Sequence, residues 1–165
     1  MSVTHDDAKM LVRTQVWDAL DAADAVHDDT AHGRIPNFKG SEEAAARLAE
    51  LPEWKNATVI KAVPDKAQLP VRARALQDGK LLYMAVPKLA TPKPFYLLDP
   101  AVLTVSPHEA ASSRVAATVA PTVEVDALRP ISVVVRGSVA VNRTGVRIGK
   151  GAGYSDLEFA LLTEA

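Results

Sequence analysis

"VRARALQDGKLLYMAV", residues 71–86, decides the fold. Pro70, just ahead of it, suits the first turn of a helix, and Gly79 suits the position past a helix end. The apolar run that follows Gly79 stops at Pro87 and reads as a strand. Upstream, "NATVIKAV", residues 56–63, is short and β-branched, and reads as another strand. Strand, helix and strand in succession predict an α/β sandwich with a largely parallel sheet, whose ligands gather at the carboxyl ends of strands.

The flanking segments extend this alternation. Leu11, Val12, Val16, Trp17, Leu20 and Ala23 recur at helical spacing between Asp7 and Val26, behind acidic residues that favour a helix start. After the turn-rich "HDDTAHGRIPNFKG", Ser41 is placed to cap a helix "SEEAAARLAEL" that stops before Pro52. Residues 105–122 have no clean period and read as a loop or weak edge element, whereas "ISVVVRGSVAV", residues 131–141, is the strongest buried-strand candidate. It leads through "NRTG" into "RIGKGAGYSDLEFALL", residues 147–162.

Composition limits the function. A chain of 165 residues, 48% hydrophobic and 24% charged, suits one folded domain. Nineteen Lys+Arg against 20 Asp+Glu leave a net charge of -1, so no global field recruits nucleic acid or an anionic membrane. Any anion site must be local. With no cysteine there is no disulfide, thiolate metal site or cysteine nucleophile. Neither a signal peptide nor a membrane-length apolar window is visible, and the expected location is cytoplasmic.

The glycine-rich stretch is the chemical centre of the sequence. Gly149, Gly151 and Gly153 allow positive φ and close backbone approach, and their N–H groups suit phosphate oxygens. Arg147 and Lys150 add charge-assisted donors. Asp156 beside such an anion site either caps the following helix or holds Mg2+. The spacing matches neither the Walker pattern nor the dinucleotide fingerprint.

"RIGKGAGYSD", preceded by "GSVAVNRTG", resembles the signature of the 5-formyltetrahydrofolate cyclo-ligase (5,10-methenyltetrahydrofolate synthetase) family, Arg-x-Gly-x-Gly-x-Gly-Tyr-Tyr-Asp. Ser155 stands where that pattern has its second tyrosine. Lys9 and Arg13 match the family's Lys-x-x-x-Arg spacing, and "LQDGKLLYMAVPKL" its Gly-Lys, strand and Pro segment. "IPNFKG", "LPEW", "PFYLLDP" and "KGAGYSDLEFALL" are similar to a divergent branch, the methenyltetrahydrofolate synthetase domain-containing proteins. The resemblance implies a three-layer, Rossmann-like (NagB/RpiA/CoA-transferase-like) fold over residues 1–165 as a single domain lacking the family's C-terminal strands. It also implies ATP-dependent cyclisation of 5-formyltetrahydrofolate to 5,10-methenyltetrahydrofolate, releasing ADP and phosphate.

On that resemblance Lys9, Arg147, Lys150 and the three glycines meet the triphosphate, and Lys150 and Arg147 carry the catalysis. Arg13 meets a phosphate or the folate, Tyr154 packs on the nucleotide or the pterin, Asp65 contacts the folate and Asp156 holds Mg2+. The implied partners are ATP, Mg2+ and a reduced folate, with neither nucleic acid nor membrane. A non-catalytic nucleotide- or folate-binding module on the same fold is the competing reading. His27, His32, Asp28 and Asp29 in "HDDTAH" read as solvated turn residues rather than a metal cluster, Trp17 and Trp54 as packing residues, and Ser138 lies in no nucleophile elbow.

Overall fold

The computed structural model describes residues 3–87, 91–153, 157 and 160–163. It divides into two units: Met1–Lys39 with Gly137–Gly153, and Gly40–Arg136 with Tyr154–Ala165.

The second unit carries the sheet. β1 (Val59–Ala62) lies parallel to β2 (Leu81–Ala85), with Val59 opposite Leu81 and Lys61 opposite Tyr83. Their crossover is α4 (Leu69–Gln77), with Pro70 in its first turn and Gly79, at φ +72°, just past its end. Here the βαβ reading of residues 56–86 and the fold agree. β3 (Phe95–Leu98) and β4 (Thr122–Val123) add antiparallel on one side, and β5 (Val133–Val134) returns parallel to β1 on the other. The order is β4-β3-β2-β1-β5. The sheet is therefore mixed, not largely parallel: β2 ends at Ala85 and β3 begins at Phe95, and so short a return forces antiparallel pairing.

Both faces of the sheet are covered. Ile60, Ala62, Leu82, Met84 and Leu98 pack against apolar side chains of α2 (Ser41–Glu50), α3 (Pro52–Asn56), α4, α5 (Pro107–Ala110) and α6 (Ser113–Val119). Val59, Leu81, Tyr83, Ala85 and Phe95 point the other way, toward Val125, Leu128, Ile131 and Leu162. The period-two split of one apolar run between two clusters is what a doubly covered strand requires. Trp54 is 2% exposed and donates its indole N–H to Asp78 at 2.9 Å.

Three sequence expectations change. Residues 105–122 are mainly helical, α5 being nucleated by a capping box between Ser106 and Glu109. Gly40, at φ 99°, is the N-cap of α2, and Ser41 is its first helical residue. The run 131–141 is not one buried strand: β5 and β6 (Ala140–Val141) belong to different sheets, and Val134 and Val141 are 38% and 71% exposed. Gly137 falls between the two pieces, where the chain leaves one unit for the other.

In the first unit, α1 (His5–Ala22) begins at a capping box between Thr4 and Asp7 and ends four residues before Val26, which bridges to Phe38 instead. Trp17 is its buried anchor, packed with Val26, Ala31 and Val139. Leu11 and Val12 are exposed, so the apolar stripe is narrower than their spacing suggests. β6 and β7 (Arg147–Ile148) form an antiparallel hairpin. The Asn142 side chain accepts from the Thr144 N–H, the Thr144 hydroxyl and the Val146 N–H, which closes the turn. No helix among the described residues is long and apolar enough to cross a membrane.

Candidate functional site

The glycine loop leaves β7 of this hairpin, not the carboxyl end of a parallel strand as the alternation suggested. Its shape depends on two arginines. Arg13, on α1, donates from Nε to the Gly149 carbonyl at 2.7 Å. A Cβ on Gly151, whose φ is +101°, would come within 3.5–3.7 Å of the Arg13 guanidinium. Arg147 donates from Nε to the Ser138 hydroxyl at 3.0 Å and from Nη2 to the Gly137 carbonyl. Its Nη2 would stand 2.9 Å from a Cβ on Gly149, so a side chain there would push this guanidinium aside. Gly153 does adopt positive φ, at +78°.

These contacts turn a flexible composition into a fixed loop. Arg13, from α1, holds the start of the loop at Gly149, and Arg147, on β7, ties that strand to Gly137 and Ser138 ahead of β6; both are half-buried. Lys150 between them is exposed and makes no hydrogen bond or ion pair with a described residue. Lys9 stands one helical turn before Arg13 on α1 and is half-buried. A loop with positive-φ glycines, guanidinium donors and a solvent-facing ammonium is chemically suited to an oxyanion. Tyr154, Ser155 and Asp156 lie outside the described residues.

Asp65 belongs to the second unit. It follows β1, and its backbone carbonyl accepts from Arg72 Nη1 at 2.8 Å. Arg72, 1% exposed, also donates to the carbonyls of Val63 and Ala111. Nothing in the local sequence distinguished it from a solvated helix arginine. Lys61, likewise 1% exposed, is a second residue the sequence reading passed over. Burial pulls its ammonium down to about 7, repulsion from Arg136 adds to the fall, and attraction to Asp65 opposes it. The signal was present as a lone lysine inside the β-branched "TVIKAV".

A cavity of about 470 Å³, lined by Thr58, Val59, Gly79, Leu81, Asp99, Arg129 and Pro130, opens at the amino ends of β1 and β2. This is the end opposite to the one where parallel strands usually present ligands. In "HDDTAH", His32 Nε2 pairs with Asp18 at 2.7 Å, and its ring lies 5.5 Å from that of Trp17. The Thr30 hydroxyl and then the Ala31 N–H hold the Asp21 carboxyl below the usual carboxylate range. Among the described residues no three His, Asp or Glu side chains are grouped to hold a metal.

The profile of the 5-formyltetrahydrofolate cyclo-ligase family matches residues 5–165. A methenyltetrahydrofolate synthase domain-containing protein of Mus musculus is 36% identical over 164 residues, 98% of this chain and 44% of that protein. The protein of the same name in Bos taurus is 36% identical over 157 residues, and the one in Homo sapiens 34% over 157, each match covering 94% of this chain and 41% of the relative. The chain thus spans less than half the length of these curated relatives.

Proposed function

Because the chain belongs to the 5-formyltetrahydrofolate cyclo-ligase family, we propose that it catalyses ATP-dependent cyclisation of 5-formyltetrahydrofolate to 5,10-methenyltetrahydrofolate, with release of ADP and phosphate. The observation that carries this reading is the glycine loop fixed by Arg13 at Gly149 with Lys150 left facing solvent. We read residues 1–165 as one three-layer, Rossmann-like domain of this family acting in the cytoplasm; the parallel β2-β1-β5 core with both faces covered supports the fold.

Bound Mg-ATP supplies the phosphoryl group that activates the formyl oxygen, and ring closure by N10 then expels phosphate. The chain's task is positioning and charge neutralisation, since phosphoryl transfer asks for little covalent chemistry from the protein. Lys150 and Arg147 meet the transferring phosphoryl oxygens, while Lys9 and the N–H groups of Gly149, Gly151 and Gly153 hold the rest of the triphosphate. Arg13 holds the loop through Nε, and its terminal nitrogens are assigned to a phosphate or the folate. Asp65 accepts from the folate, and Tyr154 packs on the pterin or the nucleotide. Asp156, the carboxylate at the end of the loop, would hold Mg2+.

Purified chain with Mg-ATP and 5-formyltetrahydrofolate should form the methenyl product, seen by its absorbance, and lose this activity on chelation of Mg2+. Lys150→Ala should weaken ATP binding about tenfold or more, since a charge-assisted hydrogen bond contributes about 1.5–3 kcal/mol. No product together with unchanged ATP binding in Lys150→Ala would sink the proposal. ATP binding without turnover would favour a non-catalytic nucleotide- or folate-binding module, a reading motivated by Ser155 at the pattern's second tyrosine.

A further inference from the structure

The cavity at the amino ends of β1 and β2 has no part in the proposed ligase chemistry. It lies wholly within the sheet-bearing unit, whereas the glycine loop belongs to the other. Its floor is apolar: Val59 and Leu81, the first residues of β1 and β2, are 7% and 9% exposed and belong to one packed cluster. Its walls carry two opposite charges, Asp99 and Arg129.

Both charges are held in place through the backbone. β3 runs antiparallel to β2 with Leu98 opposite Leu82, so Asp99 comes level with Leu81. There its carbonyl accepts the N–H groups of Val102 and Leu103, each at 3.1 Å, and its carboxylate accepts the Ala101 N–H at 2.9 Å through Oδ1. Oδ2 has no hydrogen bond with a described residue. The Arg129 N–H donates at 3.0 Å to the hydroxyl of Tyr83, which is 2% exposed. Just beyond, the Ser132 N–H donates to the Val59 carbonyl at 2.9 Å. The rim is thus stitched to the sheet, while the Arg129 side chain stays at the surface with no hydrogen bond or ion pair to a described residue.

Opposite charges that share a cavity without pairing leave two strong interactions unused. They sum to zero, so what a simple anion gains at Arg129 is offset by repulsion from Asp99, and a simple cation meets the reverse. A ligand carrying both charges gains at both. We propose that this cavity binds a small zwitterion of the α-amino acid class, with its carboxylate on Arg129, its ammonium on Asp99 Oδ2 and its apolar body against Val59 and Leu81. The planar guanidinium offers a carboxylate two parallel N–H donors. The Thr58 hydroxyl, exposed at the same cavity and without a hydrogen bond to a described residue, is a further polar contact. A volume of about 470 Å³ falls in the range of small-molecule sites and admits a side chain as large as that of phenylalanine.

Heteronuclear NMR titration of the full chain with L-phenylalanine should shift the amides of Gly79, Leu81 and Arg129 saturably within about 10 mM, the range of a weak site. N-acetyl-phenylalanine lacks the ammonium and phenylalaninamide lacks the carboxylate, and each should bind about tenfold more weakly. Arg129→Met should weaken phenylalanine about tenfold and leave phenylalaninamide unchanged. Asp99→Asn should weaken phenylalanine to the same extent and leave N-acetyl-phenylalanine unchanged; asparagine retains the oxygen that accepts the Ala101 N–H, so the turn survives. The proposal fails if phenylalanine moves none of these amides, if either analogue binds as well as phenylalanine, or if either variant binds it like the parent. Lys150→Ala should change nothing here, and loss of the shifts in that variant would put the amino acid at the glycine loop and overturn the proposal. The site stands apart from the ligase reading: phenylalanine binding of this pattern by a chain that forms no methenyl product would overturn that reading alone.

Discussion

Replacing Lys61 by methionine should make the protein more stable, by an amount that depends on pH. The lysine is 1% exposed, and burial, reinforced by Arg136, lowers its ammonium from 10.5 to about 7. At about 1.4 kcal/mol per unit, that fall corresponds to a ceiling of about 5 kcal/mol. The sign follows from proton counting. From about 7 to 10.5 the unfolded chain binds a proton that the folded chain does not, so this residue makes stability rise with pH. Below about 7 it is charged in both states, and its full cost is felt. Methionine keeps the unbranched stem and removes the charge, so Lys61→Met should gain about 2–4 kcal/mol near neutral pH, since relaxation recovers part of the ceiling. The gain should shrink to within about 1 kcal/mol near pH 10. Urea unfolding of both proteins, followed by far-ultraviolet circular dichroism at several pH values, measures this directly. A gain of equal size across the range, or a variant less stable throughout, would refute the reasoning.

Arg72→Met should cost about 3–5 kcal/mol in the same unfolding experiment, because it strands the buried carbonyls of Val63 and Ala111; a loss below about 1 kcal/mol would contradict their dependence on this guanidinium. Gly151→Ala forces a side chain into φ +101° against the Arg13 guanidinium and should lower stability by about 1–2 kcal/mol, seen as a lower melting temperature. Asn142→Ala removes the acceptor of three hydrogen bonds in the β6–β7 turn. Hydrogen exchange at the Val139 N–H, which donates to Ile148 at 2.8 Å, should then accelerate, and an unchanged rate would show that the hairpin does not rely on that turn.

Much of the sheet unit was legible in local residues. Pro70, Gly79 and two short apolar runs specify β1, α4 and β2, because backbone chemistry at proline and glycine acts within a few residues. The segment 131–141 was misread for the complementary reason. "ISVVVRGSVAV" has strand character throughout, but a strand needs neighbours, and those neighbours belong to different sheets on either side of Gly137. Likewise "SPHEAASSRVAATV" lacks a helical period, yet its capping box and its alanines against the sheet make α5 and α6.

At the candidate site, the sequence by itself determined the chemical vocabulary: alternate glycines with Arg147 and Lys150, and Lys9 and Arg13 one helical turn apart. Those features are local, set by residue type and spacing. Only the tertiary structure decided what the arginines do. Arg13 and Gly149 are far apart in the chain, yet the 2.7 Å bond between them makes Arg13 a brace for the loop. The same holds for Lys61, whose letter is an ordinary surface residue. Burial beside Arg136 and Asp65 turns it into a group that titrates near neutrality, because the cost of its charge depends on the surrounding medium and not on the sequence next to it.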